Sequence, residues 1–261
     1  MKYTYAELAK MIDHSLLHPT MTDRELEDGC RLAAKYQVAS VCIKPYAVKR
    51  AAEWLRGSGV LAGAVIGFPH GNSCTEVKRY ETQLACADGA AEIDMVINIG
   101  KALGGDWDYV ERDIRVVCDE AHRHGAKVKV IFENDYLANG GAGLSGDELK
   151  IKLCRISEAA GADWVKTSSG YGFVKQPDGS YNYKGATEHD LKLMRANVSN
   201  KVQVKAAGGV RDLDGLVRVH ELGASRCGAT ATAAMLDAFR RRENSPSRAK
   251  SAGGNIGSGG C

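Results

Sequence analysis

Asp163-Trp-Val-Lys-Thr-Ser-Ser-Gly170 and Val202-Gln-Val-Lys-Ala-Ala-Gly-Gly209 are two short apolar runs that each carry a lysine near the end and then turn into glycine. Runs of this length, rich in valine and bounded by glycine, read as buried strands of a parallel sheet. A lysine in such a strand is costly to bury as a cation. A second cation close by pushes at least one amine toward neutrality, the state that attacks a carbonyl carbon. The pair therefore points to Schiff-base chemistry, whereas a single lysine of this kind would read as an ordinary ion pair or a stem with its ammonium in water.

Similar runs recur on both sides of this pair. Met11–Leu16, Val38–Ile43, Leu61–Phe68, Glu92–Asn98, Lys127–Glu133 and Arg226–Ala229 complete a set of eight candidate strands. Amphipathic stretches separate them at Tyr46–Arg56, Thr75–Asp88, Asp108–His124, Gly146–Ala160, Thr187–Ala196, Leu213–Leu222 and Ala231–Arg241. Gly-Ala pairs at 89–90, 125–126, 161–162 and 223–224 read as helix C-caps that open short loops into the next strand. Eight βα units close into an α/β (β/α)8 TIM barrel of one domain. The competing architecture, an open doubly wound sheet, lacks a Gly-x-Gly-x-x-Gly after its first strand.

Alternate residues of a strand face opposite sides, and one side must pack on helices. In Glu92–Asn98, Ile93, Met95 and Ile97 form the apolar face, leaving Glu92 and Asp94 for the barrel interior. By the same parity Lys129 and Glu133 oppose Val128, Val130 and Phe132, and Gln203 and Lys205 oppose Val202 and Val204. Neighbouring strands lie roughly 4.8 Å apart, so Lys166 and Lys205 are expected side by side near the carboxyl ends, where barrel enzymes place their chemistry. Asp94 faces inward toward them, as a proton relay or as a plain interior salt bridge.

The chain has 261 residues, with 44% hydrophobic and 26% charged side chains and a net charge of +3. That is an ordinary globular composition, with too little charge to argue for a nucleic-acid partner. No stretch approaches the roughly 20 apolar residues of a membrane span, and Met1–Lys10 lacks the apolar core of a secretory signal, so a cytoplasmic protein is expected. The eight cysteines are scattered singly, without a Cys-x-x-Cys pair, and read as thiols. Asn139–Gly143 and Gln176–Ser180 read as extended loops at the functional rim. Residues 244–261, rich in glycine and serine, read as a disordered tail outside a barrel of residues 1–243.

Ser168-Ser-Gly170, Ala207-Gly-Gly209 and Gly228-Ala-Thr230 follow the last three strands. Glycine lets backbone N–H groups approach a phosphate closely, and three such ends beside the lysines favour a phosphate anchor. Together with Ile12-Asp-His-Ser-Leu-Leu17, Ser40-Val-Cys-Ile43, Val65-Ile-Gly-Phe-Pro69, Glu92-Ile-Asp-Met-Val96, Val128-Lys-Val-Ile131, Val165-Lys-Thr-Ser-Ser-Gly170 and Lys205-Ala-Ala-Gly-Gly-Val-Arg211, the chain resembles the deoxyribose-phosphate aldolases, class I aldolases on a (β/α)8 barrel. The resemblance implies reversible cleavage of 2-deoxy-D-ribose 5-phosphate to D-glyceraldehyde 3-phosphate and acetaldehyde. It implies Lys166 as the Schiff-base lysine, Lys205 as the neighbour that lowers its pKa, and Asp94 as partner in proton relay. It places Asp13 near the reacting hydroxyls, Cys42 by the substrate, and Gly170, Gly208, Gly209 and Thr230 around the phosphate, with no metal or cofactor. Thr230 stands where the family commonly has serine, and Lys44, after Cys42-Ile43, reads as a solvated loop lysine. The expected partner is a small sugar phosphate, with no nucleic acid or membrane; a homo-oligomer, a dimer first, is the expected assembly. Two alternatives stay open: a class I or transaldolase-like lyase for another sugar phosphate, and a barrel that binds a phosphometabolite without turnover.

Overall fold

The computed structural model describes residues 2–244; the tail expected at 244–261 lies, past Asn244, outside the described residues. Eight parallel strands close into a barrel: β1 (Ile12–Leu16), β2 (Ser40–Ile43), β3 (Leu61–Ile66), β4 (Glu92–Val96), β5 (Lys127–Ile131), β6 (Trp164–Lys166), β7 (Gln203–Ala207) and β8 (Ala224–Ala229). They follow one another in sequence order around the barrel, β8 pairing with β1 through Ile12↔Cys227. Their outward residues, Ile93, Val128, Val130, Val165, Val204 and Ala206 among them, are fully buried under the helical ring. That burial is why these strands read as nearly continuous apolar runs.

The helical candidates are all present, and all four Gly-Ala pairs end helices with the glycine at positive φ, from 74° at Gly125 to 104° at Gly89. The helix Asp23–Tyr36 was not among those read from the sequence. Its start carries a complete capping box, Thr22 accepting from Glu25 N while Glu25 reaches back to Thr22 N, so a local signal was present.

The strand carrying Lys166 is only three residues long, and its register sets Lys166 level with Lys205 and, on its other side, with Ile131. In β8 an irregularity between Ala224 and Arg226 brings Arg226 level with Lys205, which turns its guanidinium into the barrel. One parity expectation fails: Gln203 opens β7 and is exposed. Glu133 lies beyond β5 in a left-handed conformation, φ 60°, and is buried, its carboxylate accepting from Ser169 N and Oγ.

Candidate active site

The barrel interior holds a closed set of charges. Four basic side chains, Lys129, Lys166, Lys205 and Arg226, face three carboxylates, Asp13, Glu92 and Asp94. Toward the amino-terminal end, Lys129 Nζ lies 2.5 Å from Glu92 and 3.0 Å from Asp94 Oδ1, while Arg226 bonds both Asp13 and Glu92. Trp164 floors this layer, its ring 5.6 Å from Lys129 Nζ and 5.3 Å from the Arg226 guanidinium, its indole N–H donating to Ser225. Asp13 also accepts from Ser40 Oγ at 2.8 Å.

The two lysines of the opening stretches meet on one oxygen. Lys166 Nζ donates to Asp94 Oδ2 at 2.7 Å and Lys205 Nζ to the same atom at 2.6 Å. Lys205 has a second carboxylate, Asp13 Oδ2 at 2.6 Å, and Lys166 does not. Their titrations diverge accordingly. Burial lowers the Lys166 pKa, and the Lys205 charge lowers it further against the upward pull of Asp94 and, to a smaller degree, Cys42. Burial acts on Lys205 too, but Asp13 and Asp94 outweigh it and hold that amine above its ordinary range. Burial would raise Asp94; the charges of Lys129, Lys166 and Lys205 overcome it and keep the carboxyl ionised. Among these seven groups four cations face three anions, an excess of one charge in a buried interior that a neutral Lys166 removes.

Above this layer a cleft of about 470 Å³ opens at the carboxyl ends of β1, β2, β6, β7 and β8. Of the residues expected at the site, Asp13, Cys42, Lys166, Gly170, Lys205, Gly208, Gly209 and Thr230 line it, and Asp94 sits beneath, wholly shielded from solvent. Lys166 is 2% exposed, so its amine is reached only through the cleft. Burial pushes the Cys42 thiol up to about 11, so it lines the cleft as a neutral group. Gly170, Gly208 and Gly209 have φ of 88°, 89° and 87°, a conformation few side chains adopt, and they leave backbone exposed at the cleft wall. Thr230 lies just before the helix Thr232–Glu243, whose first turn has no side-chain cap, and its free N–H groups suit an anion.

Several side chains went unread in the sequence. Arg226 reads in the sequence only as the start of a strand, and its inward turn depends on the β8 irregularity. Tyr171, Phe173 and Tyr183 line the cleft from the segment after β6, where Val174–Lys175 and Tyr181–Asn182 pair as a hairpin with Gln176–Ser180 at its tip. Asn139–Gly143 differs from expectation: it packs on Leu103 and Gly105 and adds nothing to the cleft lining. Lys44 is also not simply solvated, since its Nζ donates to His18 O and Met21 O, both at 3.1 Å. Among the described residues Asp147, His189 and Asp190 are grouped closely enough for a metal ion, but Lys150 Nζ already lies 3.1 Å from Asp147 and 2.5 Å from Asp190.

The geometry has close parallels. The sequence matches the model of the DeoC/LacD family of aldolases over residues 8–240. It is 49% identical to a deoxyribose-phosphate aldolase of Rhodopirellula baltica over 255 residues, covering 98% of both chains. It is 43% identical to one from Aciduliprofundum boonei, over 88% of this chain and 96% of that one. Its fold superposes on the tetrameric deoxyribose phosphate aldolase of Aeropyrum pernix with a TM-score of 0.77 at 29% identity, covering 91% and 92% of the two chains. A closed eight-stranded barrel with a buried lysine pair at its carboxyl-terminal cleft, matched over nearly its whole length, makes this chain a member of the DeoC/LacD family of aldolases.

Proposed function

We propose that this chain is a Schiff-base aldolase that reversibly cleaves 2-deoxy-D-ribose 5-phosphate to D-glyceraldehyde 3-phosphate and acetaldehyde. One observation carries the reading: two buried amines share Asp94 Oδ2, and only the one with a single carboxylate partner, Lys166, is held below its ordinary pKa. In this reading neutral Lys166 adds to the C1 aldehyde, and loss of water gives a protonated imine. The imine draws in the electrons of the C2–C3 bond as the C3 hydroxyl loses its proton. Glyceraldehyde 3-phosphate leaves, and an enamine stays on Lys166. Protonation at its terminal carbon and hydrolysis release acetaldehyde and restore the amine.

Asp94, which accepts from both Lys166 and Lys205, passes these protons together with Lys205 and a water from the cleft. Asp13 holds Lys205 charged and borders the site of the sugar hydroxyls, and Cys42 contributes a neutral wall. Gly170, Gly208, Gly209 and Thr230 receive the phosphate through backbone N–H groups and the threonine hydroxyl. Borohydride added to protein with acetaldehyde tests the core of this: reduction should fix a two-carbon unit on the peptide holding Lys166. An unlabelled protein would overturn the imine, and a label on Lys205 would reverse the two roles.

No described helix is long and apolar enough to cross a membrane. We also place the enzyme in the cytoplasm, a reading favoured by the seven cysteines among the described residues, all of them free thiols. We read the chain as self-associating, with a dimer as the simplest assembly; the Aeropyrum pernix relative is described as a tetramer. Light scattering on the purified protein measures the assembly directly.

A further inference from the structure

The hairpin after β6 is pinned at both ends. Asp135, in the short helix Asn134–Leu137, accepts from two consecutive backbone groups, Lys184 N at 2.6 Å and Gly185 N at 2.9 Å. Ala186 N donates to Gly208 O at 3.1 Å, and Gly185 packs so closely on Gly208 that a Cβ there would meet its carbonyl oxygen at 2.6 Å. At the other end Tyr136 Oη donates to Phe173 O at 3.2 Å. Such a clamp makes the hairpin base a fixed wall of the cleft.

That wall carries two aromatic rings. Phe173 and Tyr183 pack edge to face, centroids 5.1 Å apart at 89°, and both line the cleft. The Tyr183 ring lies directly against the glycine loop: a Cβ on Gly208 would sit 3.3 Å from its Cε2. Packing on Phe173 and Gly208 fixes the ring, and its hydroxyl has no hydrogen-bond partner among the described residues. A half-buried phenol at the same end of the cleft as Gly208, Gly209 and Thr230 is a donor with no acceptor among the described residues.

We propose that Tyr183 is a specificity-determining residue, its hydroxyl donating to the phosphate group of the substrate from a hairpin that Asp135 clamps against Gly208. This rests on the aldolase reading for the substrate, though not for the subsite, which would bind any phosphomonoester. A phenol donating to a dianionic phosphate makes a charge-assisted hydrogen bond, worth about ten- to hundredfold in affinity.

The test compares kcat/KM for 2-deoxyribose 5-phosphate with that for unphosphorylated 2-deoxyribose. Tyr183→Phe, which keeps the ring, should lower this ratio about tenfold or more, through KM of the phosphorylated sugar. Asp135→Ala, which frees the hairpin, should lower it in the same direction. A ratio within twofold of wild type in Tyr183→Phe overturns the proposal, and so does a parallel loss on both sugars. Calorimetric titration with inorganic phosphate reads the subsite without turnover and should show about tenfold weaker binding to Tyr183→Phe. Borohydride trapping on the wild type reads the imine alone, so a failure of the aldolase reading and a failure of the Tyr183 subsite give different results.

Discussion

Lys78 and Lys166 are both fully enclosed lysines, both are held by burial below their ordinary pKa, and each bonds one carboxylate. Lys78 lies between the helix Thr75–Ala87 and the barrel, where it donates to Asp113 at 2.5 Å and to Val96 O at 2.8 Å, both partners sealed from solvent. Thr75 Oγ completes the Asp113 shell at 2.9 Å. Lys166 faces a cleft, and the carboxylate it bonds is already claimed by Lys205 and Lys129. The first arrangement satisfies its charges pairwise and locks a helix to a strand. The second has one proton too many and a route for a ligand to the amine. A lowered pKa therefore does not by itself mark a nucleophile; access and a surplus of neighbouring cations do.

The largest test of this contrast is Lys166→Arg. A guanidinium cannot become neutral, so the variant keeps the charge and loses the nucleophile. Borohydride labelling should vanish and kcat should fall by about 10⁴-fold or more, as for other nucleophile knock-outs. Residual activity near wild type would place the imine elsewhere. Lys205→Met has a smaller and more informative effect. Lys205 lowers the Lys166 pKa while Asp94 raises it, so deleting Lys205 lets the Lys166 pKa rise. Because the neutral amine is the reactive form, the ascending limb of kcat/KM should move to higher pH, with a loss of about 10²- to 10⁴-fold at neutral pH. Trapping on Lys166 should persist at high pH. A limb that stays in place, or moves to lower pH, would remove Lys205 as the cause.

The contrast also shows what the sequence could and could not carry. Lys166 and Lys205 stood out because apolar β-branched neighbours and a glycine turn announced buried strand ends, and parity turned Asp94 into the same interior. Lys78 sits in Thr75-Glu-Val-Lys-Arg-Tyr80, a run that reads as a solvated helix face, and its partner Asp113 lies 35 positions away. Asp94 reaches its two lysines across separations of 72 and 111 residues, contacts that only barrel closure creates. Parity turned Lys129 inward, but its partners Asp13, Glu92 and Asp94 lie on other strands, and Arg226 joined them through a strand irregularity for which no local pattern exists. The hairpin wall was legible as a long loop, but not its aromatic pair facing the cleft, since Phe173 and Tyr183 are set opposite each other by the turn between them.

Lys78→Met sharpens the comparison from the other side, because its expected effect on catalysis is the smallest. Removing one partner of a sealed ion pair strands the Asp113 carboxylate, so stability should drop by about 3–5 kcal/mol, read as a lower denaturant midpoint. Adding Asp113→Leu should recover much of this by removing the stranded charge, though Thr75 Oγ and Val96 O still lose their partners and keep recovery incomplete. Borohydride labelling of Lys166 and kcat of the folded fraction should stay within about threefold of wild type, the range of a change that touches neither cleft nor network. Val96 closes β4 two residues after Asp94, so the bond from Lys78 to its carbonyl links the two lysine sites through β4. A tenfold fall in kcat at unchanged KM would mean that this link positions Asp94, and the separation between a structural lysine and a reactive one would fail.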